Sequence, residues 1–193
     1  MRTADVDILM VPGWLGCEPD HWQSRWVRNL KTAKLIGEDD WATPDKDKWA
    51  GNIIKEVAAT SRPIVIVAPS VGVIAVAHAA LKLPKGTVAG AFLVSAADID
   101  NAHRWPVTQG YMWPDRGFGF TPVPLQALPF PAVLISSSDD PYCQQTRARH
   151  FAAAWCCDFV DVGPAGHITT ASGFGPWPDG LLRFGTFLAQ LGP

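Results

Sequence analysis

The sequence predicts an α/β fold: a mostly parallel sheet of about six strands with helices on both faces. Short β-branched runs pass repeatedly through a turn into a segment of helical spacing, the pattern of strands joined by helical crossovers. Two of these runs, PIVIV from residue 63 and VAGAFLV from residue 88, are apolar throughout and read as interior strands. The chain has 193 residues, 48% of them apolar and 18% charged. That suits one domain, which at this size buries roughly 70% of its unfolded surface.

The elements follow in order. Val6 to Val11 reads as the first strand and Pro12-Gly13-Trp14-Leu15-Gly16 as a turn. Trp22, Trp26, Val27 and Leu30 then form the apolar stripe of a helix, and a short strand lies near Ala33 to Ile36. Thr43-Pro44 offers an N-cap with proline at the first helical position, ahead of Trp49, Ile53 and Val57 at four-residue spacing. Strands are expected at 63–68, 88–95, 132–137 and 158–162, with helices at 71–82 and 143–156. A last helix presents Leu181, Phe184, Leu188 and Leu191 on one face. Between Asp98 and Pro129 the pattern dissolves into aromatic, proline and glycine residues. This excursion is too long for a simple connector, and it either covers a pocket or packs its rings on the core.

Several function classes are excluded by composition. The formal net charge is −2 and the basic residues are scattered, so nothing draws the chain to nucleic acid or anionic lipid. Residues 63–81 run 19 residues without a formal charge, yet Pro69 breaks a continuous helix there, so no membrane span is expected. The amino-terminal apolar stretch is too short for a signal segment, and the expectation is a cytoplasmic protein. Cys17, Cys143, Cys156 and Cys157 have neither C-x-x-C nor zinc spacing and read as buried or idle thiols. No G-x-G-x-x-G follows the first strand and no Walker-type lysine occurs, so neither a metal nor another cofactor is expected.

The chemistry concentrates at strand ends. Ala68-Pro69-Ser70-Val71-Gly72 sits between a strand and a helix, where the nucleophile elbow of α/β-hydrolases carries G-x-S-x-G. Small residues two before and two after the serine let strand and helix backbones approach. By itself, a serine before a helix is more often only an N-cap. Right-handed crossovers, however, bring every strand's carboxyl end to one rim. There Ser138-Asp139-Asp140-Pro141-Tyr142 and Gly163-Pro164-Ala165-Gly166-His167 end two later strands, completing the order Ser, Asp, His. His78 and His150 fall on helices, His103 lies in the excursion and His21 begins a helix near the first turn. His167 best fits the base; Asp139, Asp140 and Asp98 each stand where a carboxylate could orient it.

The segments VPGWLG and HWQSRW, DDWATPDKDKW, the serine elbow, LVSAAD, SSSDDPY and GPAGHITTASGFGPWP resemble the small retinoblastoma-binding type of serine hydrolase, over nearly the whole chain. The resemblance implies a compact α/β-hydrolase in which the second aspartate of Asp-Asp-Pro, Asp140, is the acid beside Ser70 and His167. Family members more often have a small residue and then histidine where this chain has Ala68-Pro69. The retinoblastoma partner of that family depends on L-x-C-x-E, and Leu15-Gly16-Cys17-Glu18-Pro19 misses it by one position, so that partner is not expected. The expected oxyanion donors are the amides of Val71 and of Trp14 or Leu15. Trp14, Trp105 and Trp113, among nine tryptophans, stand in segments that could wall a cleft for a small-molecule substrate. The rival is a binding protein of the same shape without turnover.

Overall fold

One six-stranded sheet organises the computed structural model, which describes residues 1–38, 40–107, 110–114 and 117–192. Its strands are β1 (Asp7–Met10), β2 (Ala33–Leu35), β3 (Ile64–Ser70), β4 (Gly90–Ala96), β5 (Ala132–Ser136) and β6 (Asp158–Asp161). They lie in the order β2-β1-β3-β4-β5-β6, and every neighbouring pair is parallel. The chain leaves β1 toward one edge, to make β2, and then returns to build β3 on the other side. The crevice beyond the carboxyl ends of β1 and β3 is therefore the topological switch point, where open α/β sheets bind ligands.

Helices cover both faces, as the sequence predicts. Successive strand residues point to opposite sides. Val65 and Val67 join Ile8, Met10, Phe92 and Val94 under α1 (Trp22–Asn29) and α5 (Pro178–Gln190). Ile64, Ile66 and Ala68 join Leu9, Leu93 and Leu134 under α2 (Lys46–Ala59), α3 (Val71–Ala80) and α4 (Gln145–Trp155). In α5 the buried stripe is Phe184, Phe187, Leu188 with Leu191 just beyond, while Leu181 faces solvent, contrary to its expected place in the stripe. The uncharged run of residues 63–81 is divided between β3 and α3, and among the described residues no helix is long and apolar enough to cross a membrane.

The cap of α2 differs from the expectation. Asp45 is the N-cap, its side chain accepting from the Lys48 amide at 2.9 Å, and the helix begins at Lys46. Thr43 belongs instead to a turn gathered by Asp40, whose carboxylate accepts from the Ala42 and Thr43 amides and from the Thr43 hydroxyl. An aspartate caps at least as well as a threonine, and the one two residues later won.

The excursion at 98–129 does both things open to it, residue by residue. Phe120 and Val123 are buried, and the Phe120 carbonyl lies 2.8 Å from His78 Nε2. The Trp155 indole donates to the Pro124 carbonyl. Trp105 instead faces the switch-point crevice. Thr108, Gln109, Asp115 and Arg116 of this segment lie outside the described residues. All four cysteines are free; burial pushes the thiols of Cys17 and Cys143 up, and that of Cys157 up to about 12.

Two backbone details set up stability tests. A methyl group on Gly72 would come within 2.5 Å of both the Val11 and the Pro12 carbonyl oxygens, whereas one on Gly51, inside α2, would meet nothing within 4 Å. Gly72→Ala should therefore lower unfolding free energy by about 1–3 kcal/mol, and Gly51→Ala should raise it by about 0.5–1 kcal/mol, in urea titrations. His21 is the N-cap of α1, its Nδ1 accepting from the Gln23 amide at 3.3 Å. Burial pushes its imidazole down from 6.5 to about 4, with His167 nearby acting in the same direction and Glu18 opposing. The unfolded chain thus binds the extra proton first, and stability that is complete above pH 6.5 drains away as the pH falls toward 4. Between pH 7.5 and 4.5 this group should cost about 2–3 kcal/mol, a loss absent from His21→Asn, which keeps a capping oxygen and does not titrate.

Candidate active site

Ser70 ends β3 in a conformation that side chains disfavour, with φ 55° and ψ −128°, and α3 begins at the next residue. Its neighbours make that bend possible. Ala68 is fully buried, and Gly72 lets the first turn of α3 lie on the Val11 and Pro12 carbonyls just after β1. Gly13 has no room for a methyl group either, because one would stand 2.8 Å from Ser70 Cβ. Pro63 and Val67 give their carbonyls to the β1 side, so by alternation the missing Pro69 N–H also faces β1, beyond the last β1–β3 pair of Met10 with Val67, where only β4 continues alongside. On that remaining side β4 bulges: Pro69 pairs with Val94 and Ser70 with Ala96, leaving out Ser95, which itself has φ 46°.

His167 arrives on the loop after β6. Gly163 and Gly166 adopt left-handed conformations there, and a methyl group on Gly166 would lie 2.5 Å from Ser172 Oγ. The His167 amide donates to that same oxygen, and the Trp22 indole donates to the Ile168 carbonyl. Held this way, His167 Nε2 lies 2.8 Å from Ser70 Oγ. Its Nδ1 lies 2.8 and 2.9 Å from the two carboxylate oxygens of Asp140. A carboxylate can only accept, so the neutral ring carries its proton on Nδ1 and turns the Nε2 lone pair to the hydroxyl. Both His167 and Asp140 are buried.

The three candidate carboxylates separate by what they touch. Asp140 meets the imidazole and also accepts from the Tyr142 amide at 2.9 Å. Asp139 points the other way: its Oδ1 accepts from the Ser137 hydroxyl at 2.7 Å and from the Ala165 and Gly166 amides at 2.8 Å each. Those bonds, the Ser137 hydroxyl foremost, hold its carboxyl below the usual carboxylate value. Asp139 thereby fastens the loop after β5 to the loop carrying His167. Asp98 is bound to Arg147, which also holds Asp100, and to the Asn101 side chain.

Around Ser70 and His167 opens a cleft of about 350 Å³, walled by Trp14, Leu15, Val71, Trp105, Pro141 and Tyr142. Trp113 is not on that wall. It packs behind it, 5.3 Å from both Trp14 and Trp105 between ring centroids. Tyr142 takes a place the sequence reading did not assign, with its ring 4.4 Å from the imidazole and 5.4 Å from Trp105. Its position directly after Asp140-Pro141 was the available signal. The Leu15 amide is engaged, donating to the Trp41 carbonyl at 2.9 Å, while Val71 is the first residue of α3. A larger groove of about 560 Å³, between β6 and α5, has no serine, cysteine or histidine among the described residues that line it, which include Phe159, Asp179 and Arg183.

Comparison with known proteins bears on the fold and the family. A protein of Pectobacterium atrosepticum SCRI1043 described as a YdeN-like hydrolase is 30% identical, with a TM-score of 0.84 over 99% of this chain and 95% of its own. The ydeN gene product of B. subtilis, 15% identical, has a TM-score of 0.71 over 95% of this chain and 98% of its own. The esterase RhEst1 from Rhodococcus sp. ECU1013, also 15% identical, has a TM-score of 0.65 over 99% and 93%; these two likenesses concern the fold alone. No curated protein matches the sequence. The family of serine hydrolases matches from residue 8 to residue 186, nearly end to end, and the chain belongs to that family.

Proposed function

We propose that the protein cleaves a small ester, thioester or amide through an acyl-enzyme on Ser70, with His167 as base and Asp140 as the orienting acid. The observation that carries this reading is the continuous line from Asp140 through the imidazole to the Ser70 hydroxyl, each contact within 2.9 Å. Ser70 Oγ attacks the substrate carbonyl carbon as its proton passes to Nε2. Asp140 keeps the ring in the productive tautomer and stabilises the imidazolium. The tetrahedral intermediate collapses, the leaving group takes the proton from Nε2, and water repeats the sequence on the acyl-enzyme.

The oxyanion falls to backbone donors. Val71 opens α3, so its amide has no carbonyl partner within the helix and lies at the positive end of the helix dipole. With the Leu15 amide given to Trp41, the Trp14 amide is the second donor. Gly13 lies directly against Ser70, which brings this turn to the reacting carbon. Each such donor is worth about 10²- to 10³-fold in turnover. A binding protein would gain nothing from the positive φ of Ser70, which costs about 1–3 kcal/mol and is retained where a sharply presented nucleophile needs it.

A fluorophosphonate probe should label the wild-type protein, and Ser70→Ala should abolish the label without loss of folding; a folded wild-type protein that resists the probe would favour the binding reading. Asp140→Asn should lower kcat on p-nitrophenyl acetate by about 10⁴-fold, since the ring loses its tautomer. Asp139→Ala should lower kcat by about 10- to 100-fold with little change in KM, through displacement of the His167 loop, and Asp139→Asn, which keeps an acceptor oxygen, should recover most of the loss.

A further inference from the structure

The residues around the cleft carry a charge pattern that bears on what enters it. Its walls are largely aromatic and aliphatic, and the polar side chains that line it, Ser70, Tyr142, His167, Thr169 and Ser172 with the Trp14 and Trp105 indoles, are uncharged when the imidazole is neutral. Among the described residues no lysine or arginine lines it. Arg104 borders a separate small pocket on the far side of the Trp105–Tyr142 wall, and Arg147 is held by Asp98 and Asp100. Among the described residues, the charged groups bonded to the segments around Ser70 and His167 are acidic. Asp140 lies behind the imidazole, Asp139 is pinned to the loop that carries it, and Glu18 accepts from the hydroxyl of Thr170, beside the cleft residues Thr169 and Ala171.

The apolar surface also continues outward. Leu15 lines the cleft and is 38% exposed. Tyr111 stands edge-on to Trp14 with ring centroids 6.3 Å apart, and the adjacent Met112 is 87% exposed. A substrate longer than its reacting group therefore leaves the cleft over these apolar side chains, and none of the described residues lining the cleft is a lysine or arginine.

We infer that the natural substrate presents an uncharged, apolar arm to this cleft and that carboxylate-bearing substrates are rejected. The inference rests on the hydrolase reading and specifies its substrate class. An anionic arm would lose hydration against the Trp105 and Tyr142 rings with no lysine or arginine among the described lining residues to pair with it, and it would face the field of the nearby carboxylates. An aryl or alkyl arm loses only apolar contact with water and gains the same surface, at about 25 cal/mol per Å².

Phenyl acetate and 4-acetoxybenzoate provide the test, with kcat/KM for each divided by its hydroxide-catalysed rate constant. At low salt the normalised value for the anion should be lower by about 10- to 100-fold, the range expected for a partly desolvated charge without a partner. Leu15→Arg, which places a cation at the mouth, should narrow the gap by about tenfold. Normalised values within about threefold of each other, or a gap that Leu15→Arg leaves unchanged, would overturn the inference. Fluorophosphonate labelling of Ser70 in the same preparation separates the two levels. Labelling with equal treatment of the esters removes only the substrate class, and absence of both labelling and turnover removes the hydrolase reading together with it.

Discussion

The backbone of Ser70 can hold its left-handed turn only because its neighbours concede space. Gly72 sits on the Val11 and Pro12 carbonyls just after β1, and Gly13 sits on the serine's Cβ, so strand, helix and turn meet without intervening side chains. From this contact the site follows. It aims the hydroxyl out of the sheet, sets the first amide of α3 beside it, and brings the turn after β1 across from that amide. The cost of the conformation is local, and the sheet absorbs it. Buried strands on either side, and the bulge of β4 at Ser95, leave β3 nowhere else to go.

Much of this was legible in the chain. Interior strands had to be apolar on both faces, and their alternation with helical stripes specified the layers before any contact was known. The order of serine, aspartate and histidine at the ends of β3, β5 and β6 was readable for the same reason, since parallel strands deliver their carboxyl ends to one rim. Side-chain direction was not readable. Asp139 and Asp140 are adjacent and share one composition and one loop, and only the path of the loop turns the first toward Ala165 and Gly166 and the second toward the imidazole. Residue spacing likewise could not say that Trp113 would lie one layer behind Trp14 and Trp105, or that the Leu15 amide would be claimed by Trp41, a residue 26 positions later whose carbonyl faces it.

The neighbouring aspartates also show how a single loop can serve two purposes without conflict. Asp140 is buried against a ring whose charge changes during the proposed reaction, while Asp139 is exposed and binds amides whose charge does not. A proton taken up by the imidazole therefore alters the first carboxylate's interactions far more than the second's. On the proposed mechanism the anchor keeps its bonds while the imidazole gains and loses its proton.

Trp105 joins two duties that are usually assigned to different residues. Its ring faces the cleft, while its indole N–H donates to the carbonyl of Tyr142, in the short segment that also contains Asp140. On the proposed mechanism, the wall of the cleft and the placement of the acid thus depend on one side chain. Natural drift toward a new preference would have to begin elsewhere along the mouth, at Leu15 or Tyr111, where exchanging a side chain disturbs no such strut.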